Sequence, residues 1–430
     1  MRILEIKDGM NKKKVLNEVL KRDEEDNLEV ENIVRNIIKD VKTNGDNAVK
    51  NYTEKFDGVK IKDMKVTKDE IEFAIKDVGE DFLNILKEAA QNIKTYHDEE
   101  LETTWYKDFR PGVKLGQKIT PIERVGIYVP GGKAGYPSTV LMTAIPAKVA
   151  GVNSLAMVTP PDKDGRVDSY ILAAAYVAGV DEIYKIGGAQ AVAALAYGTE
   201  SIEPVYKIVG PGNIFVATAK KQVFGKVDID MIAGPSEIGI LTDYDVSPRI
   251  IAADLLSQAE HDEMAAPIFI TTSKEHAEKV KEEVYRQLDI LPRKEINIKS
   301  IENYSLGIIA RNKEEAIDWM NEFAPEHLEI LYKNPESYLD KIKNAGAIFL
   351  GEYTPEPVGD YFAGPNHTLP TSGTAKFSSP LGVNDYFKRS SILYYSKDAL
   401  EKVESKVQTF AKKEGLFAHA NAIDVRFKED

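Results

Sequence analysis

From Arg124 onward the chain repeats one unit, and that repetition constrains its fold more than any other feature. A short apolar run comes first, then a glycine-bearing loop, then a longer stretch at helical spacing. Residues 125–129 read as a buried strand, Pro130-Gly131-Gly132-Lys133-Ala134-Gly135-Tyr136-Pro137 as a loop, and residues 138–150 as a helix. Strands at 155–158, 183–186 and 206–209 follow, each leading to another helical stretch. A second run begins near Ser236, with strands at 238–241, 268–271, 306–310, 328–331 and 347–350 and helices at 247–259 and 274–288. Strands alternating with helices imply parallel sheets built from βαβ units. Two α/β halves are therefore expected, meeting near Pro235.

The flanks differ. Residues 11–101 are rich in Lys and Glu at helical spacing, with a break at Asn44-Gly45-Asp46. Residues 351–380 are rich in Gly, Pro, Ser and Thr, a composition that in a compact domain marks a functional or disordered loop. Residues 398–418 read as helical again. A length of 430 residues allows two or more domains, and an apolar fraction of 43% allows real cores. The net charge of −13 argues against nucleic acid or an anionic membrane as the main partner. No apolar run approaches the roughly 18 residues of a membrane span, and the N-terminus lacks a signal-peptide core. A soluble, cytoplasmic protein is expected.

Cysteine is absent, which removes disulfides, thiolate metal sites and a cysteine nucleophile. The six histidines are His97, His261, His276, His327, His367 and His419. His97 and His276 lie in helical stretches and are expected at the surface. The other four stand beside carboxylates or amides in unusual backbone contexts. In Phe323-Ala324-Pro325-Glu326-His327-Leu328-Glu329-Ile330, Pro325 ends a helical stretch, so Glu326 and His327 fall at a helix-to-strand junction. Such a pair is either a polar loop or two proton-transfer groups at one site. Gln258 and His261 are three apart and share a helix face, with Asp254 one turn earlier. That stripe is either a solvated face or part of a site. Gly359-Asp360-Tyr361 and Gly364-Pro365-Asn366-His367 present Asp360 and His367 on a shaped loop, and Glu414 and His419 close the set. Oxygen and imidazole donors without sulfur suit Zn²⁺, Mn²⁺ or Co²⁺. The glycine-rich loops could meet phosphates at helix N-termini. None carries G-x-G-x-x-G, so ordinary tight turns remain an equal reading.

Taken together and in order, these segments closely resemble the histidinol dehydrogenase family. The matching pieces are Gly126-Ile127-Tyr128-Val129-Pro130-Gly131-Gly132, Gly187-Gly188-Ala189-Gln190-Ala191, Val209-Gly210-Pro211-Gly212-Asn213 and Ala233-Gly234-Pro235-Ser236-Glu237. Gln258-Ala259-Glu260-His261-Asp262, Pro325-Glu326-His327-Leu328, Gly359-Asp360-Tyr361, Gly364-Pro365-Asn366-His367 and Gly415-Leu416-Phe417-Ala418-His419 complete the set. The resemblance implies oxidation of L-histidinol to L-histidine through histidinaldehyde, with two NAD⁺ consumed and one Zn²⁺ per subunit holding the substrate. It places the metal on Gln258, His261, Asp360 and His419, and the catalytic pair on Glu326 and His327. Ser236, His367 and Glu414 match substrate contacts, together with Gln258, His261, His327, Asp360 and His419. Tyr128, Gln190 and Asn213 match NAD contacts.

The resemblance also implies a homodimer with shared active sites. The expected fold is α/β, with two incomplete Rossmann-like parallel-sheet domains and helical N- and C-terminal extensions. The expected layout is residues 1–25 as the N-terminal extension, 26–125 with 236–380 as one α/β domain, 126–235 as the other, and 381–430 as a dimer-swapped tail.

The missing cysteine bears on the chemistry. Without a thiohemiacetal route, an aldehyde must be hydrated to a gem-diol before a second hydride leaves. Glu326 is then expected to act on water as an ionised base and His327 on the alcohol hydroxyl, with a metal as template. A zinc hydrolase and a non-catalytic metal- or nucleotide-binding module are the rival readings. NAD-independent hydrolysis would mark the first, and absence of turnover the second.

Overall fold

In the computed structural model, which describes residues 1–20, 28–131, 135–243 and 245–428, the apolar runs become strands of two parallel sheets. Gly132, Lys133 and Ala134 of the expected loop lie outside the described residues, as do residues 21–27, where the expected boundary at 25 falls. Met1–Glu100 with Ile122–Tyr386 forms one compact unit holding both sheets. Leu101–Pro121 with Phe387–Asp430 forms a second.

The larger sheet has six strands, in the order Arg2–Glu5, Leu306–Ile309, Ala266–Thr271, Glu237–Thr242, His327–Leu331, Ala347–Leu350. Every residue of Glu237–Thr242, Ala266–Thr271 and His327–Leu331 is buried. Parallel sheets covered on both faces have this character, which is why their strands read as continuous apolar runs. The helices Pro248–Ala259 and Lys313–Phe323 contribute Ile251, Leu255, Trp319 and Met320 to the cores around the sheet.

The smaller sheet has five strands, ordered Glu182–Lys185, Ser154–Thr159, Arg124–Tyr128, Lys207–Val209, Asp228–Ile229. Along the chain, strands first add on one side of Arg124–Tyr128 and then on the other. That reversal leaves a crevice at the carboxyl ends of Arg124–Tyr128 and Lys207–Val209, where open α/β sheets receive ligands. The backbone there is tightly packed: a Cβ at Gly210 (φ 111°) would collide with the Tyr128 carbonyl oxygen. The fold is thus α/β with two Rossmann-like parallel sheets, as expected.

Several local expectations need correction. His97 and His276 are buried, not at the surface. His97 continues the inward face of Gly79–Asp98 after Leu86, Ala89 and Ile93, and its Nδ1 meets Glu100 Oε2 at 2.8 Å. His276 joins Ala277, Val280 and Val284 on the buried face of Lys274–Leu288. Arg2–Glu5, in the stretch read as a helical extension, is an edge strand paired with Leu306–Ile309. The break at Asn44-Gly45-Asp46 is a kink at Gly45 (φ 50°, ψ −130°) within Leu28–Asp57.

The second unit holds an antiparallel sheet that the sequence pattern did not announce. Phe387–Tyr395 pairs with Val113–Pro121, which pairs with Trp105–Arg110. The helices Glu404–Lys413 and Phe417–Asp424 follow.

Candidate active site

The helix Lys313–Phe323 stops at Ala324, whose left-handed conformation (φ 51°) still lets its N–H reach the Met320 carbonyl at 2.9 Å. Pro325 cannot continue the helix. Its carbonyl accepts the Gly346 N–H at 3.0 Å, and the next carbonyl, of Glu326, accepts the Ala347 N–H at 2.9 Å. Glu326 and His327 thus enter the larger sheet at its amino-terminal edge, between Glu237–Thr242 and Ala347–Leu350.

Both side chains are buried. Glu326 Oε2 accepts the backbone N–H of Glu237 at 3.0 Å. His327 Nδ1 lies 3.1 Å from the Glu237 carbonyl oxygen, which can only accept, so Nδ1 carries a proton. Its Nε2 faces Asp360 Oδ1 at 3.5 Å, and Nδ1 lies 3.8 Å from Glu326 Oε2. Burial pushes Glu326 up to about 8, opposed by the charge of His327 and the Glu237 N–H. At neutral pH an ionised Glu326, the form expected of a base, therefore depends on a neighbouring imidazolium. For His327, burial acts downward, but Glu326 and then Asp360 outweigh it and carry the imidazole up to about 10.

Asp360 sits on a π-helical turn, Gly359–Ala363, which continues the short helix Glu356–Val358. Such widened turns are frequent at functional sites. Burial acts to raise Asp360, yet the adjacent imidazoles of His327 and His367 hold it well below the usual carboxylate range. His327, Asp360 and His367 line a cavity of about 820 Å³ that also reaches Tyr96, Phe349 and Asp385. Burial holds the His367 imidazole below its ordinary value. Ser236, half-buried, leads directly into the strand Glu237–Thr242.

Two of the sequence-predicted ligands of the first unit, His261 and Asp360, also meet here. Donor atoms of His261, Asp360 and Glu356 lie within 4.8 Å of one another, with His261 open to solvent and Glu356 buried. Gln258 is fully buried at the end of Pro248–Ala259, and neither atom of its amide has a hydrogen-bond partner. Leaving a buried amide unpaired costs about 1–3 kcal/mol per group. A cation accepting the Gln258 oxygen would remove part of that cost, so the donors present fit a divalent metal.

Glu356 went unnoticed in the sequence. The signal available was its spacing four residues ahead of Asp360, which places two carboxylates on one helical face. Behind the site, Glu329 Oε1 accepts the Glu356 N–H at 2.9 Å, and the Asp254 carboxyl lies close enough to Glu329 to raise it further. Burial raises all three of these acids, Glu356 to about 8 and Asp254 to about 6. Glu414 and His419 belong to the second unit, where both are exposed.

The three residues matched to NAD contacts stand at the carboxyl ends of the smaller sheet. Tyr128 ends its strand, and its hydroxyl accepts the Gly188 N–H at 3.0 Å. Burial pushes that phenol up to about 12. Gln190 is buried with both amide atoms unpartnered, so it too has polar capacity for a ligand. Asn213 caps Ile214–Val223, its Oδ1 accepting the N–H groups of Phe215 at 3.1 Å and Val216 at 3.2 Å.

The chain resembles known proteins along nearly its whole length. The family model described as histidinol dehydrogenase matches residues 20–427. Histidinol dehydrogenase of Bacillus licheniformis is 57% identical, over 92% of this chain and 93% of that one. That of Clostridium acetobutylicum is 54% identical over 98% of each. The crystal structure of histidinol dehydrogenase from Elizabethkingia anophelis superposes with a TM-score of 0.94 at 38% identity, covering 99% of this chain and 98% of that one. The family model spans nearly the whole sequence and the relatives match end to end, so the chain belongs to the histidinol dehydrogenase family, whose members are oxidoreductases.

Proposed function

We propose that the chain oxidises L-histidinol to L-histidine through histidinaldehyde, in the last steps of histidine biosynthesis. Two NAD⁺ and one water are consumed, and two NADH and L-histidine are formed with release of protons. The observation that carries this reading is the position of His327, held between Glu326 and Asp360 at the wall of the cavity. The names of the family and of its relatives supply the substrate class.

When bound, NAD⁺ supplies the hydride acceptor and Zn²⁺ a template for the substrate's amine and imidazole. Gln258, His261 and Asp360 would hold the metal, with His419 as a further ligand, and Tyr128, Gln190 and Asn213 would contact NAD. Ser236, His367 and Glu414 would contact the substrate. Glu414 and His419 come from the partner in a homodimer, and the enzyme works in the cytoplasm. No described helix is long and apolar enough to cross a membrane.

The neutral form of His327, the minor form at neutral pH, takes the hydroxyl proton of histidinol through Nε2, its Nδ1–H held by the Glu237 carbonyl. Glu326 takes a proton from the water that adds to the aldehyde, giving the gem-diol from which the second hydride departs. No covalent enzyme intermediate is needed, in keeping with the lack of cysteine. The buried setting of the pair keeps bulk water from competing for these protons.

The test is to count NADH formed per L-histidinol consumed. A ratio of two supports the proposal, one would limit the chain to the alcohol step, and none would remove the activity.

A further inference from the structure

Gly210, at the crevice of the smaller sheet, is held by side chains through both of its backbone polar groups. Its N–H donates to Asp230 Oδ2 at 2.7 Å, and its carbonyl accepts from Lys220 Nζ at 2.8 Å. Lys220 and Asp230 also form an ion pair with each other, with only 3% and 1% of their side chains exposed. Lys220 comes from the helix Ile214–Val223, which Asn213 caps, and Asp230 follows the strand Asp228–Ile229. Neither residue has a part in the chemistry above, yet Asp230 also lines the cavity that reaches His327.

A buried ion pair gains little stability over apolar packing of similar volume, because both charges lose their water. What this pair supplies is a fixed geometry. Gly210 has φ 111° and leaves no room for a Cβ beside the Tyr128 carbonyl, so its backbone sits directly against that of Tyr128. Lys220 and Asp230 keep it there.

From this geometry we infer that Lys220 and Asp230 are positioning residues for the dinucleotide. They hold Gly210, and through it the turn Gly210-Pro211-Gly212-Asn213, in the shape that receives NAD⁺ beside Tyr128. The inference rests on the NAD reading given above. A turn fixed beforehand leaves less to be ordered when the ligand binds. Without the pair, the N–H and carbonyl of Gly210 would have to find other partners, and the turn would lose its single shape.

The test uses the full-length, zinc-loaded protein. NADH affinity is measured by fluorescence titration without L-histidinol, and thermal melting of each variant is the folding control. Lys220→Met/Asp230→Leu removes both contacts to Gly210 without leaving a buried charge unpaired. Lys220→Gln/Asp230→Asn is also neutral but keeps a donor for the carbonyl and an acceptor for the N–H. The first double variant should melt cooperatively and bind NADH about 10- to 100-fold more weakly. Its KM for NAD⁺ should rise far more than its kcat falls. The second should keep most of the parent's affinity. Parent-like NADH binding by the first would overturn the assignment. Equal losses in both would do the same, because the hydrogen bonds to Gly210 would then not be the means. Loss of cooperative melting in the first would make the pair a structural brace, which also overturns it. If the parent itself binds no NADH, the NAD reading fails and this inference falls with it.

Discussion

His327 Nδ1 points at the backbone carbonyl of Glu237, 3.1 Å away, across two neighbouring strands of the larger sheet. A carbonyl can only accept, so the neutral imidazole has its lone pair on Nε2, the nitrogen facing Asp360. The proposed catalysis at Nε2 requires this tautomer. In ¹⁵N spectra of labelled protein, His327 should show a protonated Nδ1 whenever the ring is neutral. A neutral ring with its proton on Nε2 would place the lone pair on the wrong side.

The proposed metal donors make a second expectation. His261→Ala removes the one nitrogen donor among the clustered donors of the first unit. Zinc content and turnover should fall together, and elemental analysis of the purified variant checks it. Full zinc occupancy in that variant would show that His261 is not a ligand.

Stability should depend on pH through Glu326. Burial raises its folded value to about 8 from an ordinary 4.5. A carboxyl raised in this way contributes stability that is fully present below about 4.5 and is lost as pH rises through about 8. Glu326→Gln has no proton to lose, so the metal-free variant should gain on the parent in melting temperature between pH 5 and 8. Parallel melting curves across that window would mean that Glu326 ionises no differently when folded.

Much of the fold was legible because parallel strands buried on both faces announce themselves as apolar runs, as at Glu237–Thr242. Trp105–Arg110 gave no such signal: all six of its residues are exposed, so no alternation marks the strand. Arg2–Glu5 is short, and its partner lies some three hundred residues away at Leu306–Ile309. The burial of His97 and His276 follows from which helix face meets the core, a matter of tertiary packing. In the site, Glu326 and His327 stood out because Pro325 breaks the helix just before them. Glu356 did not, because its importance comes from Ser257, Glu329 and Asp360, which meet it only in space.

Glu414 and His419 give a prediction about assembly. If a partner supplies them, His261→Ala and His419→Ala subunits, each inactive alone, should form hybrid dimers with one complete site. Activity should then reappear on mixing. If subunit exchange is confirmed and activity stays at zero, the tail serves its own chain.

The proposed division of labour between Glu326 and His327 can be measured directly. Single-turnover NADH formation is followed from L-histidinol and from supplied histidinaldehyde, in Glu326→Gln and His327→Asn. Loss of a positioned acid–base group slows its step by about 10²- to 10⁴-fold. Glu326→Gln should slow the aldehyde step by that much while slowing the first hydride transfer far less, and His327→Asn should slow the alcohol step at least as strongly. Equal slowing of both steps by Glu326→Gln would contradict this, and would mean that the two residues act as one unit.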